Sequence, residues 1–563
     1  MSKQAFAIGQ SDTEIKMKRP ENLDRLRTEE FDICVIGAGA SGSGVALDAT
    51  LRGFKVALID RSDFCSETSS RSTKLIHGGV RYLEQAFKKL DFAQLKQVNH
   101  GLHERKTLLK LAPHLAKPLA LITPVFSWFE GIYYSIGLKI YGLIAGDDGM
   151  PKAKWLNKKE TFQRIPGLTR SLHSSIMYYD GQFDDSRFTV AMVQSAVKEG
   201  AAAANYLELK KFQKNASGKI QKAVVSDLIS NQEFSISAKL FVNCTGPYAD
   251  HVRLMADPAE ELRMRPAKGV HIVFPSSYLQ SKDAMLIPET KDGRVVFVKP
   301  LDDEVMVGTT DTAYHDLANE PVLEEQEVDY LLETLEPFIE KMPQRADIKA
   351  GFAGVRPLLA PKSSNRKETK SLLRDHEVEY DQNSGLISLL GGKWTTYRVM
   401  AKDTVDYAAE LLRNSVPCQT DSHVLVGAQQ KDFNATEFSK KALETGISEE
   451  QVTHLLDKYG DQAEEVLKLF SESKDYSNPI LEGYPFLKAE VVYTLRNEMV
   501  TKLRDFLSRR IRLEISDWEG SIKAAETIAP ILQKELSWSE EQTLIEVAEY
   551  VKLIEGFKEK AGL

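Results

Sequence analysis

Read for apolar and polar positions alone, the chain divides into three textures. Residues 31–36 form a short, mostly apolar run that meets a glycine cluster, residues 43–52 are a small-residue stretch of helical character, and residues 55–59 are apolar again. That succession predicts strand, tight turn, helix and strand, a βαβ unit opening the first domain. A buried-strand pattern running into glycine recurs at 240–246 and at 386–392. One domain is therefore expected to be assembled from separated pieces near 30–110, 175–262 and 350–400. Between them, residues 270–274, 294–299 and 305–309 are β-branched runs parted by Pro, Gly and Asp, the pattern of a mostly antiparallel sheet and of a second, substrate-side layer. Beyond residue 400 the texture turns to long helical patterns, as at 449–458, 462–470, 489–508 and 540–559. These predict a helical C-terminal domain over 401–563. Residues 1–29 are polar and read as an N-terminal arm, partly disordered, ahead of a 30–400 core.

The glycine cluster Gly37-Ala38-Gly39-Ala40-Ser41-Gly42 is a GxGxxG between a predicted strand and helix, with Asp60 ending the next strand. Gly37 permits the tight turn, Gly39 lets the backbone approach a pyrophosphate, and Gly42 lets helix and strand pack closely. The helix N-terminus offers N–H groups to phosphates, and Asp60 can accept hydrogen bonds from a ribose diol. This unit reads as a dinucleotide cradle, but FAD and NAD use the same one.

The segment Thr68-Ser69-Ser70-Arg71-Ser72-Thr73-Lys74-Leu75-Ile76-His77-Gly78-Gly79-Val80-Arg81-Tyr82-Leu83-Glu84 separates the two. It resembles the signature of FAD-dependent glycerol-3-phosphate dehydrogenases. Lys268-Gly269-Val270-His271-Ile272, Val307-Gly308-Thr309-Thr310-Asp311, Gly354-Val355-Arg356-Pro357-Leu358 and Gly391-Gly392-Lys393-Trp394-Thr395-Thr396-Tyr397-Arg398 resemble further blocks of that family, in the same order. The resemblance covers roughly 30–400 closely and the tail more loosely. It implies an α/β fold: a Rossmann-like FAD-binding domain of the glutathione-reductase and D-amino-acid-oxidase type, an antiparallel-sheet substrate domain and a helical C-terminal domain. It further implies oxidation of sn-glycerol 3-phosphate to dihydroxyacetone phosphate by hydride transfer from C2 to flavin N5.

The residues of these blocks have chemistry of their own. Thr68, Ser69, Ser70, Ser72 and Thr73, with Lys74, His77, Gly78 and Gly79, supply donors without bulk beside a cofactor, as does Gly246 at the end of its strand. Arg81 and Arg356 sit among Gly, Leu, Tyr and Pro rather than in charged stretches. Each fits either an ordinary ion pair or a bidentate grip on a phosphate dianion; the resemblance implies that both clamp the substrate phosphate, with Tyr82 beside Arg81. His271 lies in an apolar strand pattern that also suits a core histidine, yet alcohol oxidation needs a base, and neutral imidazole suits neutral pH. The resemblance places His271 at the substrate, with His77 the second candidate or an orienter of the flavin. Gly391 and Gly392 read as a turn feeding a helix N-terminus, which with Lys393 and Thr395 would stabilise negative charge at the flavin pyrimidine edge.

Composition then narrows the partners. A net charge of -8 and a pI near 5.9 provide no field for nucleic acid. Cys34, Cys65, Cys244 and Cys418 form no CxxC and read as reduced thiols of a cytosolic protein; no motif implies a metal. With no haem or iron–sulfur pattern, electrons must leave to an external quinone, dioxygen or soluble carrier. The resemblance implies a quinone and peripheral attachment to the inner face of the cell membrane, while related oxidases produce hydrogen peroxide. Outside that reading stand an amino-acid or sarcosine-type oxidase and a flavin-binding protein without turnover. Phe126, Trp128, Phe129, Tyr133, Tyr134 and Tyr141 suit a membrane interface, a homodimer contact or ordinary core, in a region interrupted too often to span a bilayer. Lys502, Arg504, Arg509, Arg510 and Arg512 suit either anionic lipid or an ion-paired helix face.

Overall fold

The computed structural model describes residues 17–79, 92–146, 149–290, 293–360 and 376–563. Two sheets organise the core. In the first, the strands Leu386–Gly391, Gln232–Asn243, Glu30–Ile36, Val56–Ile59 and Ala202–Ala204 lie side by side and parallel, with His376–Tyr380 antiparallel on one edge. Parallel neighbours demand long crossovers and burial on both faces, and Ile33, Val35, Val242 and Ile387 are accordingly wholly buried. The three strands that run into glycine thus end at the same edge of one sheet, from stretches far apart in sequence.

The second sheet is antiparallel apart from one pair, with Ala267–Pro275 flanked by Glu304–Gly308 and Ala350–Arg356, and with Val296–Leu301 beyond Glu304–Gly308. One face of it, through Val270, Ile272 and Val298, shares a core with Leu503, Phe506, Trp518 and Ile528 of the C-terminal helices. The opposite face carries His271 and looks toward the first sheet. Arg19–Thr28 is a helix docked through Leu23 and Leu26, with Arg19 paired to Asp227 at 2.6 Å.

The helix expected over 489–508 is two elements, Lys488–Asn497 and a widened helical turn at Asp505–Arg510. The break has a physical cause. Glu498 turns inward to take Arg187 at 2.6 Å and Arg510 at 2.9 Å, Met499 adopts φ 53°, and its carbonyl accepts a hydrogen bond from Asn205 Nδ2 at 2.8 Å. Asp505 then caps the next turn, accepting from the backbone N–H groups of Thr501 and Lys502.

The basic run belongs to this seam. Arg509 and Arg510 both reach Asp63, at 2.6 and 2.8 Å; Arg512 reaches Asp184 and Asp302, each at 3.1 Å; Arg504 reaches Glu320 at 2.6 Å and Glu514 at 2.9 Å. Asp63, Glu498 and Arg510 are fully buried. Arg509, Arg510 and Arg512 are therefore buried ion-pair partners, and Arg504 a half-buried one, rather than a lipid-facing patch.

Candidate functional site

The two sheets enclose a cavity of about 1940 Å³, larger than the roughly 300–1,000 Å³ of an ordinary small-ligand pocket. Its first wall is backbone and hydroxyls. Gly37 has φ 99°, and a Cβ on Gly42 would stand 1.8 Å from the Gly37 carbonyl oxygen, so the strand-to-helix turn tolerates no side chain there. A Cβ on Gly39 would stand 2.8 Å from Ser69 Oγ, the same oxygen that accepts from Ala40 N at 2.9 Å. Gly39 and Ser41 line the cavity at the N-terminus of the helix Ala40–Leu51, where N–H groups favour phosphate. This is a cradle that a side chain would fill, and it fits the pyrophosphate of FAD.

Asp60 lines the same wall and accepts from Ala38 N at 2.7 Å and Ser62 N at 3.0 Å. Enclosure away from bulk water pushes its carboxyl up to about 6 despite those donors.

The segment 68–79 bridges the two sheets. Thr68 Oγ1 donates to the Val355 carbonyl at 2.7 Å, and Trp394 Nε1 donates to the Ser69 carbonyl at 3.1 Å. Thr68, Ser69, Ser72, Thr73, His77, Gly78 and Gly79 face the cavity. Ser70 and Lys74 do not. The Ser70 hydroxyl donates to the Glu67 carbonyl, and the Lys74 ammonium, expected at the cofactor, is buried and donates to the Ser70 carbonyl and to Asp185, each at 2.8 Å. Opposite, Gly391 (φ 74°) and Gly392 (φ 91°) turn the strand Leu386–Gly391 into the helical segment starting at Trp394. A Cβ on Gly392 would stand 2.4 Å from the Met400 sulfur. Gly246, Lys393 and Thr395 complete this side of the wall. Ala38 and Gly42 shape the turn without lining the cavity, and Arg81 and Tyr82 lie outside the described residues.

The second wall is the antiparallel sheet. His271 is buried, its ring stacked on Phe352 at 4.6 Å and 15°, with Nε2 3.1 Å from Thr73 Oγ1. Its cross-strand neighbour is Gly308, where a Cβ would stand 2.2 Å from the imidazole. Burial, reinforced by the charges of Lys74, Arg356 and Lys299, holds its pKa well below the usual histidine value, so the ring is a neutral base at pH 7. Among the described residues, no group hydrogen-bonds its Nδ1.

Arg356 ends the strand Ala350–Arg356, and its guanidinium lies over Gly269, where a Cβ would stand 2.4 Å from Nη2. Nη2 donates to Thr309 Oγ1 at 3.0 Å. Gly269 and His271 are successive positions on one face of one strand, about 7 Å apart. Cation and base thus stand side by side on the cavity wall.

Sequence reading assigned no role to Phe352, Thr309 or Asp185. Thr309 stood in the Val307-Asp311 block, and Asp185 in the Asp184-Asp185 helix start before an amphipathic run; Asp184 is the N-cap, accepting from Arg187 N at 3.0 Å.

The family described as FAD dependent oxidoreductase matches residues 32–398, and the C-terminal domain of alpha-glycerophosphate oxidase matches residues 418–543. The mitochondrial glycerol-3-phosphate dehydrogenase of Homo sapiens is 39% identical over 532 residues, covering 92% of this chain and 72% of its own length. That of Arabidopsis thaliana is 37% identical over 551 residues, covering 94% and 87%. Among solved structures, the glycerol-3-phosphate dehydrogenase of Bacillus halodurans complexed with FAD is similar at a TM-score of 0.78 and 28% identity, over 97% of this chain and 98% of that one. L-alpha-glycerophosphate oxidase of Mycoplasma pneumoniae, at a TM-score of 0.54 and 16% identity, covers 70% of this chain and 97% of that one and shares the fold.

Proposed function

Since the chain belongs to the family of FAD-dependent glycerol-3-phosphate dehydrogenases and oxidases, we propose that it oxidises sn-glycerol 3-phosphate to dihydroxyacetone phosphate and passes the electrons to a membrane quinone. It is an FAD-dependent oxidoreductase. FAD, when bound in the glycine and hydroxyl cradle, would supply the two-electron acceptor for the C2 hydride. The chain's own residues do the rest. Neutral His271 takes the C2 hydroxyl proton as the carbonyl forms, and Thr73 and Phe352 hold its ring. Arg356 meets the phosphate, and the Gly391-Gly392 turn with Lys393 presents positive potential from the opposite side.

The observation that carries this reading is the placement of Arg356 over Gly269, one same-face position from His271. Base and cation on one wall can be reached together by a single small hydroxy-phosphate. Anaerobic mixing with sn-glycerol 3-phosphate should bleach the flavin, and amino acids should not. A flavin bleached by an amino acid and untouched by the phosphate would overturn the substrate.

The quinone rests on the helix Trp128–Ala145, begun by Ser127 Oγ accepting from Glu130 N. Its outer face presents Phe129 at 80% exposure and Leu143 at 79%, an apolar surface of the kind that seats a helix at a membrane interface. The same helix contributes Tyr134, Gly137 and Ile140 to the cavity. No described helix is long and apolar enough to cross a membrane, so the proposed attachment is peripheral, on the inner face of the cell membrane. Phe129→Gln with Leu143→Gln should abolish vesicle binding and quinone turnover while anaerobic flavin reduction stays intact. Stoichiometric hydrogen peroxide without added acceptor would favour the oxidase instead.

A further inference from the structure

His271 is held by two neighbours. Its Nε2 meets Thr73 Oγ1, and its ring face lies on Phe352. The residues on either side of Thr73 converge on one fully buried carboxylate, Asp185. Asp185 Oδ2 accepts from Ser72 N at 3.1 Å and from Ser72 Oγ at 2.7 Å. Its Oδ1 accepts from Lys74 Nζ at 2.8 Å. Lys74 adopts φ 57°, a left-handed conformation rarely taken by side-chain-bearing residues, and its ammonium lies 5.3 Å from the centre of the Phe352 ring. Two arms therefore run from Asp185 to the imidazole, one through Ser72 and Thr73 to the ring edge, the other through Lys74 and Phe352 to the ring face.

We propose that Asp185 is a positioning residue for His271, fixing the Thr73 hydroxyl and the Phe352 ring between which the imidazole is held. The proposal rests on the reading of His271 as the base. Asp185 is itself held rigidly as the first residue of the helix Asp185–Lys198, and the Lys74 ammonium balances its charge. A group that must be held to within a fraction of an ångström needs such support from a rigid element. Asp185 touches neither the cavity nor any position open to substrate.

The test is anaerobic flavin reduction in the FAD-bound protein. Asp185→Asn should lower the limiting rate about 100-fold, the scale of a small misplacement of a reacting group, with the half-saturating substrate concentration and the bound FAD unchanged. Thr73→Val should also lower the limiting rate, and the double variant should be no slower than Asp185→Asn alone, because the carboxylate acts partly through that hydroxyl. Rates that fall by the product of the two single effects, or a raised half-saturation at an unchanged limiting rate, would overturn the proposal. If Asp185→Asn fails to fold, Ser72→Ala carries the test, with a smaller loss in the same direction expected and an unchanged rate counting against it. The ¹³C resonance of the His271 ring, assigned with His271→Asn, separates the two claims. Unchanged reduction in His271→Asn removes the base assignment, whereas an unmoved His271 resonance in Asp185→Asn removes the positioning role.

Discussion

The cofactor wall and the seam to the C-terminal helices are both tightly built, by opposite means. The wall is made of absences, its strand-to-helix turn closing so tightly that a Cβ on Gly37, Gly39 or Gly42 would stand 2.7, 2.8 or 1.8 Å from neighbouring protein atoms. The seam is made of full charges taken out of water, with Asp63 between Arg509 and Arg510, and Glu498 between Arg187 and Arg510. A binding wall must leave its donors for a guest, whereas a domain seam must leave none of its charges unanswered.

That contrast is sharpest where a single atom is added. Gly42→Val should give a chain with no bound flavin by absorbance, because the first added carbon already overlaps the Gly37 carbonyl; a yellow variant would show that the turn has slack. On the seam, removal rather than addition should be the severe change. Arg510→Met leaves Asp63 with Arg509 alone and Glu498 with Arg187 alone, and should lower the unfolding free energy by about 3–5 kcal/mol in denaturant titration, the scale for breaking a buried pair. Little change would mean that Arg509 and Arg187 suffice.

Arg356→Lys tests the boundary between the two styles, since this cation faces the cavity yet is hydrogen-bonded like a structural one. A point charge replacing a fork should raise half-saturation by sn-glycerol 3-phosphate about tenfold or more with a smaller effect on the limiting rate. An unaltered substrate dependence would assign Arg356 to structure alone.

The mildest effect concerns Asp60. Burial pushes its carboxyl up to about 6, while a ribose diol donates to the ionised form. Below pH 6, binding must therefore release a proton, and FAD affinity should fall up to about tenfold per pH unit, with no dependence from this group above it. Fluorescence titration from pH 5 to 8 should show this bend in the native chain and not in Asp60→Asn.

The same contrast explains what was legible in the sequence. The cofactor wall is written in contiguous motifs, because a tight turn and its glycines are local, and the strand-then-glycine pattern at 31–37, 240–246 and 386–392 marked strands that lie together. His271 stood out as a histidine in an apolar strand, and the sheet places its ring at the cavity. Asp63 and Arg510 could not be paired from sequence, being separated by most of the chain. Arg510 read as one member of a basic run, and the helix through Glu498 was drawn too long because a charge turned inward looks the same in one dimension as a charge turned out. Lys74 misled for a related reason, since its position inside a cofactor motif gave no hint that Asp185 would claim it.

Asp63 follows Asp60 by three residues on one short loop, so the seam's central carboxylate and the cavity's acidic residue move together. No residue after Met400 lines the cavity, yet the C-terminal helices are anchored in part through that loop. Flavin should therefore act as a folding chaperone for helices it never meets, favouring by mass action every conformation in which the loop is set. Protease nicking of the helices after residue 400 should accordingly slow when flavin is supplied, and newly made chains starved of it should lose their C-terminal portion first.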